Sequence, residues 1–406
     1  MTLDATGSKA SKVVPKPELK QTQFLPIAHP GKPFVLENGA KIPEARLAFQ
    51  TWGTLNAERS NAILVFHALT GSHHAAGLDE HGPANGFWVN SVREGWWNDF
   101  FGPGKALDPT KYFILCANYL GGCYGSTGPS DINPETGKPY GRAFPYPSVS
   151  DIVDSQLHLL EHFGIDRLFA VIGGSVGGFM AMDFAIRYPN RVRTVIPIAS
   201  GLRATVLAKA MNFEQIFAIA EDAHFKGGDY YGGETPWRGL ALARMICHKT
   251  FISLNVMEER AQDVLIQPDD LLAGYLLEHK IESYMLHQGK KFVKRFDANS
   301  YLRILNAWQS FDLPGKLGGG NVAKTFAPCR DQYWLVFSIS SDVCFYPSEQ
   351  QEIVDALKAN NVHHIYITAH SDKGHDSFLL EPDLYTPHIK LVFEQTLAQM
   401  AEESEG

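Results

Sequence analysis

The chain has 406 residues, and its 45% hydrophobic and 20% charged residues are the balance of an ordinary globular protein with a sizeable core. A formal net charge of −8 argues against a nucleic-acid-binding protein, which would be basic. The sequence has no run of about 20 apolar residues, so we expect neither a transmembrane helix nor a membrane partner. The partners we expect are small molecules.

The cysteines and the N-terminal sequence indicate the cellular compartment that we expect for the protein. The chain has five cysteines, which are Cys116, Cys123, Cys247, Cys329 and Cys344. Their odd number and the lack of a C-x-x-C pair argue against a disulfide framework and a zinc site. Residues 1–22 are polar and contain no apolar segment, so we do not expect them to form a secretory signal. We predict a disordered tail over 1–22 and a cytoplasmic location.

Short apolar runs follow this tail in chain order. Residues 34–36 and 45–52 lie on either side of the turn Asn38-Gly39, as in a small meander. Six later runs are apolar without alternation, at 62–66, 112–117, 168–172, 194–198, 333–338 and 364–368. Such runs are typical of strands buried on both faces, as in a parallel sheet.

Helical patterns separate several of these runs. Residues 151–162 and 347–359 carry apolar residues at helical spacing, and the first pattern stops near Gly164. Alternation of strands and helices predicts an α/β fold with a mostly parallel, doubly wound sheet.

One long stretch interrupts this alternation. Residues 201–326 show no convincing strand pattern, and we interpret them as a mainly helical lid inserted into the sheet domain. The catalytic domain would then consist of residues 23–200 and 327–406. Gly318-Gly319-Gly320, near the end of the insertion, lacks the Gly-Lys-Ser/Thr of a phosphate-binding loop.

The most specific motif follows the run at 168–172, where Gly173-Gly174-Ser175-Val176-Gly177 leads into a helical pattern. A Gly-x-Ser-x-Gly sequence between a strand and a helix is the nucleophile elbow of the α/β-hydrolase fold. The sharp turn pushes the serine hydroxyl out of the fold, and the small residues let strand and helix pass closely. We therefore predict Ser175 as an enzyme nucleophile. The alternative is a glycine-rich turn with a solvated serine.

A serine hydroxyl needs a base, and in this fold the acid and the histidine follow the serine along the chain. Asp342 comes after the run at 333–338, and His375 comes after the run at 364–368. Both therefore lie at strand ends, where α/β sheets collect their chemistry. We predict a catalytic triad of Ser175, Asp342 and His375. The nearby rivals are His363, His364, His370, Asp372 and Asp376.

An oxyanion hole requires preorganised donors, here two backbone N–H groups. Val176 would supply one of them, because it follows the nucleophile at the start of the predicted helix. The loop after the run at 62–66 would supply the other, because a tight turn in His67-Ala68-Leu69-Thr70-Gly71 would present the N–H of Leu69. We interpret His67 as a packed or hydrogen-bonding residue and not as a base.

Eight segments of the chain form a specific set of motifs, which are 67–71 (HALTG), 118–130 (NYLGGCYGSTGPS), 137–141 (GKPYG), 144–151 (FPYPSVSD), 173–178 (GGSVGG), 239–245 (GLALARM), 341–342 (SD) and 374–379 (GHDSFL). With these motifs the chain resembles, from about residue 34 to the C-terminus, the MetX-type homoserine O-acyltransferases, a branch of the α/β-hydrolase superfamily. The chain departs from the family at Val176, where methionine is usual, but a backbone donor survives that change.

The resemblance implies a two-step, ping-pong reaction. Ser175 would take the acyl group from an acyl-CoA thioester, and His375 would then activate the hydroxyl of an amino acid to receive it. Arg244 would bind the carboxylate of this acceptor through its bidentate fork, and Asp376 would bind its ammonium group. Without the resemblance, Arg244 would be interpreted as an exposed helix charge and Asp376 as a turn former.

The resemblance also implies a choice of substrates. The loop at 68–71 is similar to that of homoserine-using members of the family and not to the serine version. Cys344 stands where succinyl-using members carry an arginine, and a thiol cannot pair with the extra carboxylate. We therefore expect homoserine O-acetylation from acetyl-CoA, a step of methionine biosynthesis, with no metal or other cofactor. A member specific for L-serine or succinyl-CoA, a serine ester hydrolase and a non-catalytic binding module are the alternatives.

The helical insertion carries an apolar stripe. Its members are Met211, Phe213, Ile216, Phe217 and Ile219. Such a stripe commonly packs on the protein's own sheet, but members of the resembled family form homodimers through this region, so we expect a homodimer.

Overall fold

A computed structural model describes residues 18–263 and 275–405 of the chain. The strands in this part are β1 (Gln23–Ala28), β2 (Phe34–Val35), β3 (Lys41–Ile42), β4 (Ala45–Trp52), β5 (Ala62–Phe66), β6 (Phe113–Ala117), β7 (Ile132–Asn133), β8 (Lys138–Pro139), β9 (Leu168–Gly174), β10 (Val192–Ile198), β11 (Tyr333–Ile339) and β12 (His363–Ala369).

Eight of these strands form the central sheet, in the order β1-β4-β6-β5-β9-β10-β11-β12. Strand β4 runs antiparallel to both of its neighbours, and the other pairs are parallel. Strands β5, β6 and β9 are buried along their whole length. The predicted mostly parallel sheet is confirmed, and each of the six unalternating runs forms one of its strands.

The sequence prediction missed β1, which pairs with β4 at the edge of the sheet. Its first four residues are exposed or half-buried and only Ile27 and Ala28 are buried, and its register with β4 shifts between Pro26 and Ala28. Proline is tolerated at an edge strand because one side of its backbone makes no ladder hydrogen bonds. An exposed edge strand needs no apolar pattern, so β1 left no signal of the kind that identifies buried strands.

The helices surround this sheet. They are α1 (Val149–Phe163), α2 (Val176–Arg187), α3 (Val206–Ala220), α4 (Trp237–Phe251), α5 (Leu254–Asp263), α6 (Lys280–Val293), α7 (Ala298–Gln309), α8 (Leu313–Leu317), α9 (Val322–Thr325), α10 (Pro347–Ala359), α11 (Ser377–Leu380) and α12 (Pro382–Glu405). Of the helices in the described ranges, none combines the length and apolar character of a membrane span.

The side chains of β5 show how the core is divided. Leu64 and Phe66 belong to a core on one face of the sheet that also contains residues of α1, α2, α10 and the helices between β10 and β11. Ile63 and Val65 point the other way, into a core that includes residues of α12. Alternate residues of a strand point to opposite faces, so a strand covered on both sides is apolar throughout.

The segment predicted as a lid lies between β10 and β11. Its described residues, 201–263 and 275–326, contain α3 to α9 and no strand of the central sheet. A single bridge between Arg203 and Asp312 links the two ends of the segment. Residues 264–274 of this segment lie outside the described part of the chain, and α6 begins at Lys280.

The predicted tail needs a correction at its C-terminal boundary. Residues 1–17 lie outside the described part of the chain, but residues 18–22 contact the folded domain. Backbone hydrogen bonds join Lys20 to Leu78 and Leu78 to Glu18, at 2.8 and 2.9 Å. The hydroxyl of Thr22 donates to Asp79 at 2.9 Å. The polar composition of residues 18–22 does not indicate that they are ordered, because they are held by hydrogen bonds to a distant loop and not by apolar packing.

Candidate active site

Ser175 lies in the turn between β9 and α2. Its backbone has φ 58° and ψ −127°, a conformation that costs free energy for any residue with a Cβ. The N–H of Ser175 donates to the carbonyl of Ile198 at 2.9 Å, and its carbonyl accepts from the N–H of Gly178 at 2.9 Å. Strand β10 and the first turn of α2 therefore hold the strained turn and present the hydroxyl at the carboxyl end of β9.

The glycines around Ser175 are required by close backbone contacts. A Cβ on Gly173 would lie 2.3 Å from the carbonyl oxygen of Gly177. A Cβ on Gly177 would in turn lie 2.3 Å from the carbonyl oxygen of Phe66 in β5. The strand, the turn and the helix thus approach so closely that no side chain fits two residues before or after the serine.

His375 and Asp342 form a hydrogen-bonded pair at the ends of two neighbouring strands. Nδ1 of His375 donates to Oδ2 of Asp342 at 2.7 Å. The other carboxylate oxygen accepts from the N–H groups of Cys344 and Phe345, at 2.8 and 3.0 Å. The carboxylate is thus fixed by three donors, and it fixes the imidazole tautomer that leaves Nε2 free to accept a proton.

Aromatic rings surround the imidazole of His375. The centroids of Phe251, Phe345 and Phe378 lie 6.2, 5.4 and 5.4 Å from its own centroid. Burial by itself lowers the pKa of His375, but the charge and the hydrogen bond of Asp342 raise it more, so the pKa lies above its ordinary value. Its Nε2 is buried and makes no hydrogen bond to a described residue, so the predicted link to the hydroxyl of Ser175 is not formed in this structure, although both side chains line the same cavity.

A cavity of about 310 Å³ lies above Ser175. The predicted site residues that line it are Leu69, Ser175, Arg244, His375 and Asp376. The other two predicted residues, Asp342 and Val176, are not among the residues that line it. Asp342 contacts His375 as described, and Val176 begins α2, where the first N–H groups have no acceptor within the helix.

The rival histidines lie elsewhere. His363 and His364 begin β12, at the end of the strand opposite to the loop that carries His375. The Nδ1 of His364 pairs with the carbonyl of Val362 at 2.8 Å, and His370 is exposed. Of these histidines, only His375 reaches the cavity that Ser175 lines.

The loop after β5 forms the turn that the sequence predicts. The N–H of Gly71 donates to the carbonyl of Ala68 at 3.0 Å, which closes a β-turn with Leu69 and Thr70 at its centre. The ring of His67 stacks on Tyr119 with centroids 3.6 Å apart, and its Nδ1 pairs with the carbonyl of Ala68 at 2.8 Å. Burial lowers the pKa of His67 to about 4, so it is a neutral packing residue, in agreement with its interpretation.

Arg244 and Asp376 bring opposite charges to the same cavity. The guanidinium of Arg244, on α4, lies over the rings of Phe251 and Phe292 at 5.0 and 5.2 Å. Burial raises the pKa of Asp376, against the opposing effects of His375 and Arg244. A cation and a carboxyl group beside a nucleophile suit a zwitterionic ligand, whose carboxylate and ammonium they can bind separately.

The sequence analysis missed the part of the site that other segments contribute. Phe251, Phe292 and Arg295 come from the helical segment and line the cavity, and Phe345 packs beside the imidazole with its ring tilted. Nothing in their local sequence marks these residues, because an isolated aromatic or arginine side chain outside a motif ordinarily has a structural role.

Comparisons with known proteins agree with this geometry. A sequence model described as the alpha/beta hydrolase fold matches residues 61–382. A homoserine O-acetyltransferase of Methanosphaerula palustris is 43% identical over 367 residues, which cover 90% of this chain and 72% of the relative. A homoserine O-succinyltransferase of Acidithiobacillus ferrooxidans is 42% identical over 372 residues, covering 91% of this chain and 94% of the relative.

Solved structures show the same fold. The homoserine O-acetyltransferase of Bacillus anthracis superposes with a TM-score of 0.81 at 26% identity, covering 93% of this chain and 98% of that one. Esterase E22 superposes with a TM-score of 0.80, also at 26% identity, covering 92% and 100%. From its sequence relatives and its fold, the chain belongs to the homoserine O-acyltransferase branch of the α/β-hydrolase family.

Proposed function

We propose that the chain transfers an acetyl group from acetyl-CoA to the hydroxyl of L-homoserine, a step of methionine biosynthesis, by a ping-pong route. The observation that carries this proposal is the cavity itself, in which Ser175 and His375 lie together with Arg244 and Asp376. A nucleophile with its base supports acyl transfer in general, and the paired charges support an amino acid as the acceptor.

The first half-reaction acylates Ser175. Its Oγ attacks the thioester carbonyl while Nε2 of His375 takes the hydroxyl proton. The N–H groups of Leu69 and Val176 hold the negative oxygen of the tetrahedral intermediate. The intermediate then collapses, the carbon–sulfur bond breaks, and His375 returns the proton to the departing thiolate of CoA.

The second half-reaction transfers the acyl group from Ser175 to the hydroxyl oxygen of homoserine. Nε2 of His375 takes the proton of the homoserine hydroxyl, and the resulting oxygen nucleophile attacks the acyl-serine. Arg244 holds the carboxylate of the acceptor and Asp376 its ammonium group, so that the hydroxyl lies against the ester carbonyl. The bond to Ser175 breaks, and His375 returns the proton to the serine oxygen.

The choice of acetyl as the acyl group depends on Cys344. Relatives named for acetyl and for succinyl transfer are similarly close to this chain, at 43% and 42% identity. Cys344 lines a neighbouring cavity and not the one that holds Ser175. Burial holds the pKa of its thiol well above its ordinary value, so the group is neutral and offers no charge to the second carboxylate of a succinyl chain. We expect kcat/KM for acetyl-CoA to exceed that for succinyl-CoA, and the reverse order would contradict the donor assignment.

The rival function is ester hydrolysis, which the similarity to esterase E22 favours. The two functions differ in the acceptor, so the test follows thiol release from acetyl-CoA with and without L-homoserine. We expect release to depend on homoserine and O-acetylhomoserine to form in equal amount. Equal thiol release without homoserine would support the hydrolase and refute the transferase. The same thiol-release assay with L-serine in place of L-homoserine tests which amino acid is the acceptor.

We also propose a homodimer formed through α3 and α4. Phe213 and Phe217 are 60% and 55% exposed, and Leu242 of α4 is 47% exposed, which leaves an apolar surface on neighbouring helices. Sedimentation should give the mass of two chains, and replacing both phenylalanines by aspartate should give the mass of one. A wild-type monomer would contradict the proposal.

A further inference from the structure

Arg295 connects the helical segment to the turn that carries Leu69. It follows α6, and its Nη1 donates to the carbonyl oxygen of Thr70 at 3.0 Å. Its Nη2 lies 3.4 Å from the hydroxyl oxygen of Thr70. The two residues are 225 positions apart in the chain. A charged donor on a backbone carbonyl makes a stronger hydrogen bond than a neutral one, so this contact restrains the turn.

The guanidinium of Arg295 is itself held in place. Its Nη1 also contacts the hydroxyl of Tyr124 at 3.1 Å, and that hydroxyl donates back to the carbonyl of Arg295 at 2.6 Å. The ring of Phe292 lies 5.1 Å from the guanidinium carbon. The hydrogen bonds of this guanidinium go to uncharged oxygens, and it forms no ion pair with a residue of the described ranges.

The turn is anchored on its other side by the sheet domain. His67 stacks on Tyr119 and pairs with the carbonyl of Ala68, and the hydroxyl of Tyr119 donates to the carbonyl of His67. These contacts hold the start of the turn, whereas Arg295 holds its far side at Thr70. Leu69 lies between the two anchors and lines the cavity.

We propose that Arg295 is a positioning residue, which docks the helical segment on the turn at 68–71 and keeps the N–H of Leu69 directed at the developing oxyanion. The inference depends on the proposed function only in taking this N–H as an oxyanion donor. It adds that the helical segment completes the oxyanion hole, because Arg295 holds Thr70, whereas the sheet domain holds the loop at His67 and, through the indole N–H of Trp96, at Ser72.

The variants that test this are Arg295→Met, Arg295→Lys and, as a matched control, Lys294→Met. Lys294 is the adjacent cation and is exposed, so its removal changes the local charge equally without touching the turn. Two acyl donors are compared, acetyl-CoA and p-nitrophenyl acetate, because only the first carries phosphate groups. Each variant's thermal midpoint checks its folding.

We expect Arg295→Met to lower the acylation rate by about 10- to 100-fold with both donors, with little change in KM, because a displaced donor no longer matches the transition state. Arg295→Lys should recover part of the acylation rate, because lysine keeps the positive charge but lacks the planar pair of guanidinium donors. Lys294→Met should behave as the wild type. Unchanged acylation in Arg295→Met, or a loss confined to the KM for acetyl-CoA, would overturn the proposal, the latter in favour of a phosphate anchor.

Hydrogen exchange separates this inference from the proposed function, because it requires no turnover. The amides of residues 69–72 should exchange faster in Arg295→Met than in Lys294→Met, whatever reaction the protein catalyses. Exchange that is equal in the two variants would refute the positioning role. Absence of acylation in the wild type, with faster exchange in Arg295→Met, would refute only the proposed function.

Discussion

Nδ1 of His375 lies 2.7 Å from Oδ2 of Asp342, with only 3% and 0% of the two side chains exposed. At this depth little solvent screens the interaction, so the carboxylate acts on the imidazole far more strongly than a surface ion pair would. The pair therefore sets both the orientation of the proposed base and the pH range in which it is neutral.

A pH profile tests this relationship. The base acts in its neutral form, and the pKa of His375 is raised above 6.5, so kcat/KM should fall as the pH decreases, with its midpoint above 6.5. Asp342→Asn should lower kcat/KM by about 10⁴-fold and move the midpoint to lower pH, because the stabilising charge is lost. A midpoint that Asp342→Asn does not move would show that another group titrates.

The strained backbone of Ser175 makes a prediction about stability. Ser175→Ala and Ser175→Gly should both abolish acyl transfer, because neither has a hydroxyl. Glycine adopts φ 58° without the penalty that a Cβ brings, so Ser175→Gly should be more stable than Ser175→Ala by about 1 kcal/mol. Urea unfolding measures the difference. Equal stabilities would mean that the turn relaxes once the hydroxyl is removed.

The close backbone contact at Gly173 makes a second stability prediction. Gly173→Ala would place a Cβ 2.3 Å from the carbonyl oxygen of Gly177, so we expect a loss of about 2 kcal/mol in the free energy of unfolding, together with most of the activity. Gly31→Ala is the control, because its nearest neighbours would lie 3.6 Å away. A Gly173→Ala protein as stable and active as this control would contradict the close packing.

The role of Arg244 can be separated from the acylation step. Arg244→Met should raise the KM for homoserine by about 10- to 100-fold, because a charge-assisted bidentate contact is lost, and should leave acylation by the donor nearly unchanged. The KM of Arg244→Lys for homoserine should lie between the values of the wild type and Arg244→Met, since lysine keeps the charge but lacks the two parallel donors of the guanidinium. Lys249→Met, an exposed cation on the same helix, is the control. An equal loss in both half-reactions would exclude a role specific to the acceptor.

The sequence by itself determined the features that follow from local physics. Five of the six unalternating runs form strands that are buried almost throughout, because strands covered on both faces are apolar along their length. The sixth forms the half-buried edge strand β12. Gly173 and Gly177 around Ser175 marked the turn between β9 and α2, because only small residues allow these backbones to approach. Chain order then selected Asp342 and His375 as the partners of the serine.

The tertiary structure decided what depends on distant contacts. It separated His375 from His363 and His364, which share one short segment with it in the sequence but lie at the opposite end of β12. It joined residues 18–22 to a loop near Leu78, and Arg295 to Thr70 across 225 positions. Such contacts follow from how the packed elements meet, and a hydrogen bond between two distant polar residues imposes no periodicity or composition on either segment.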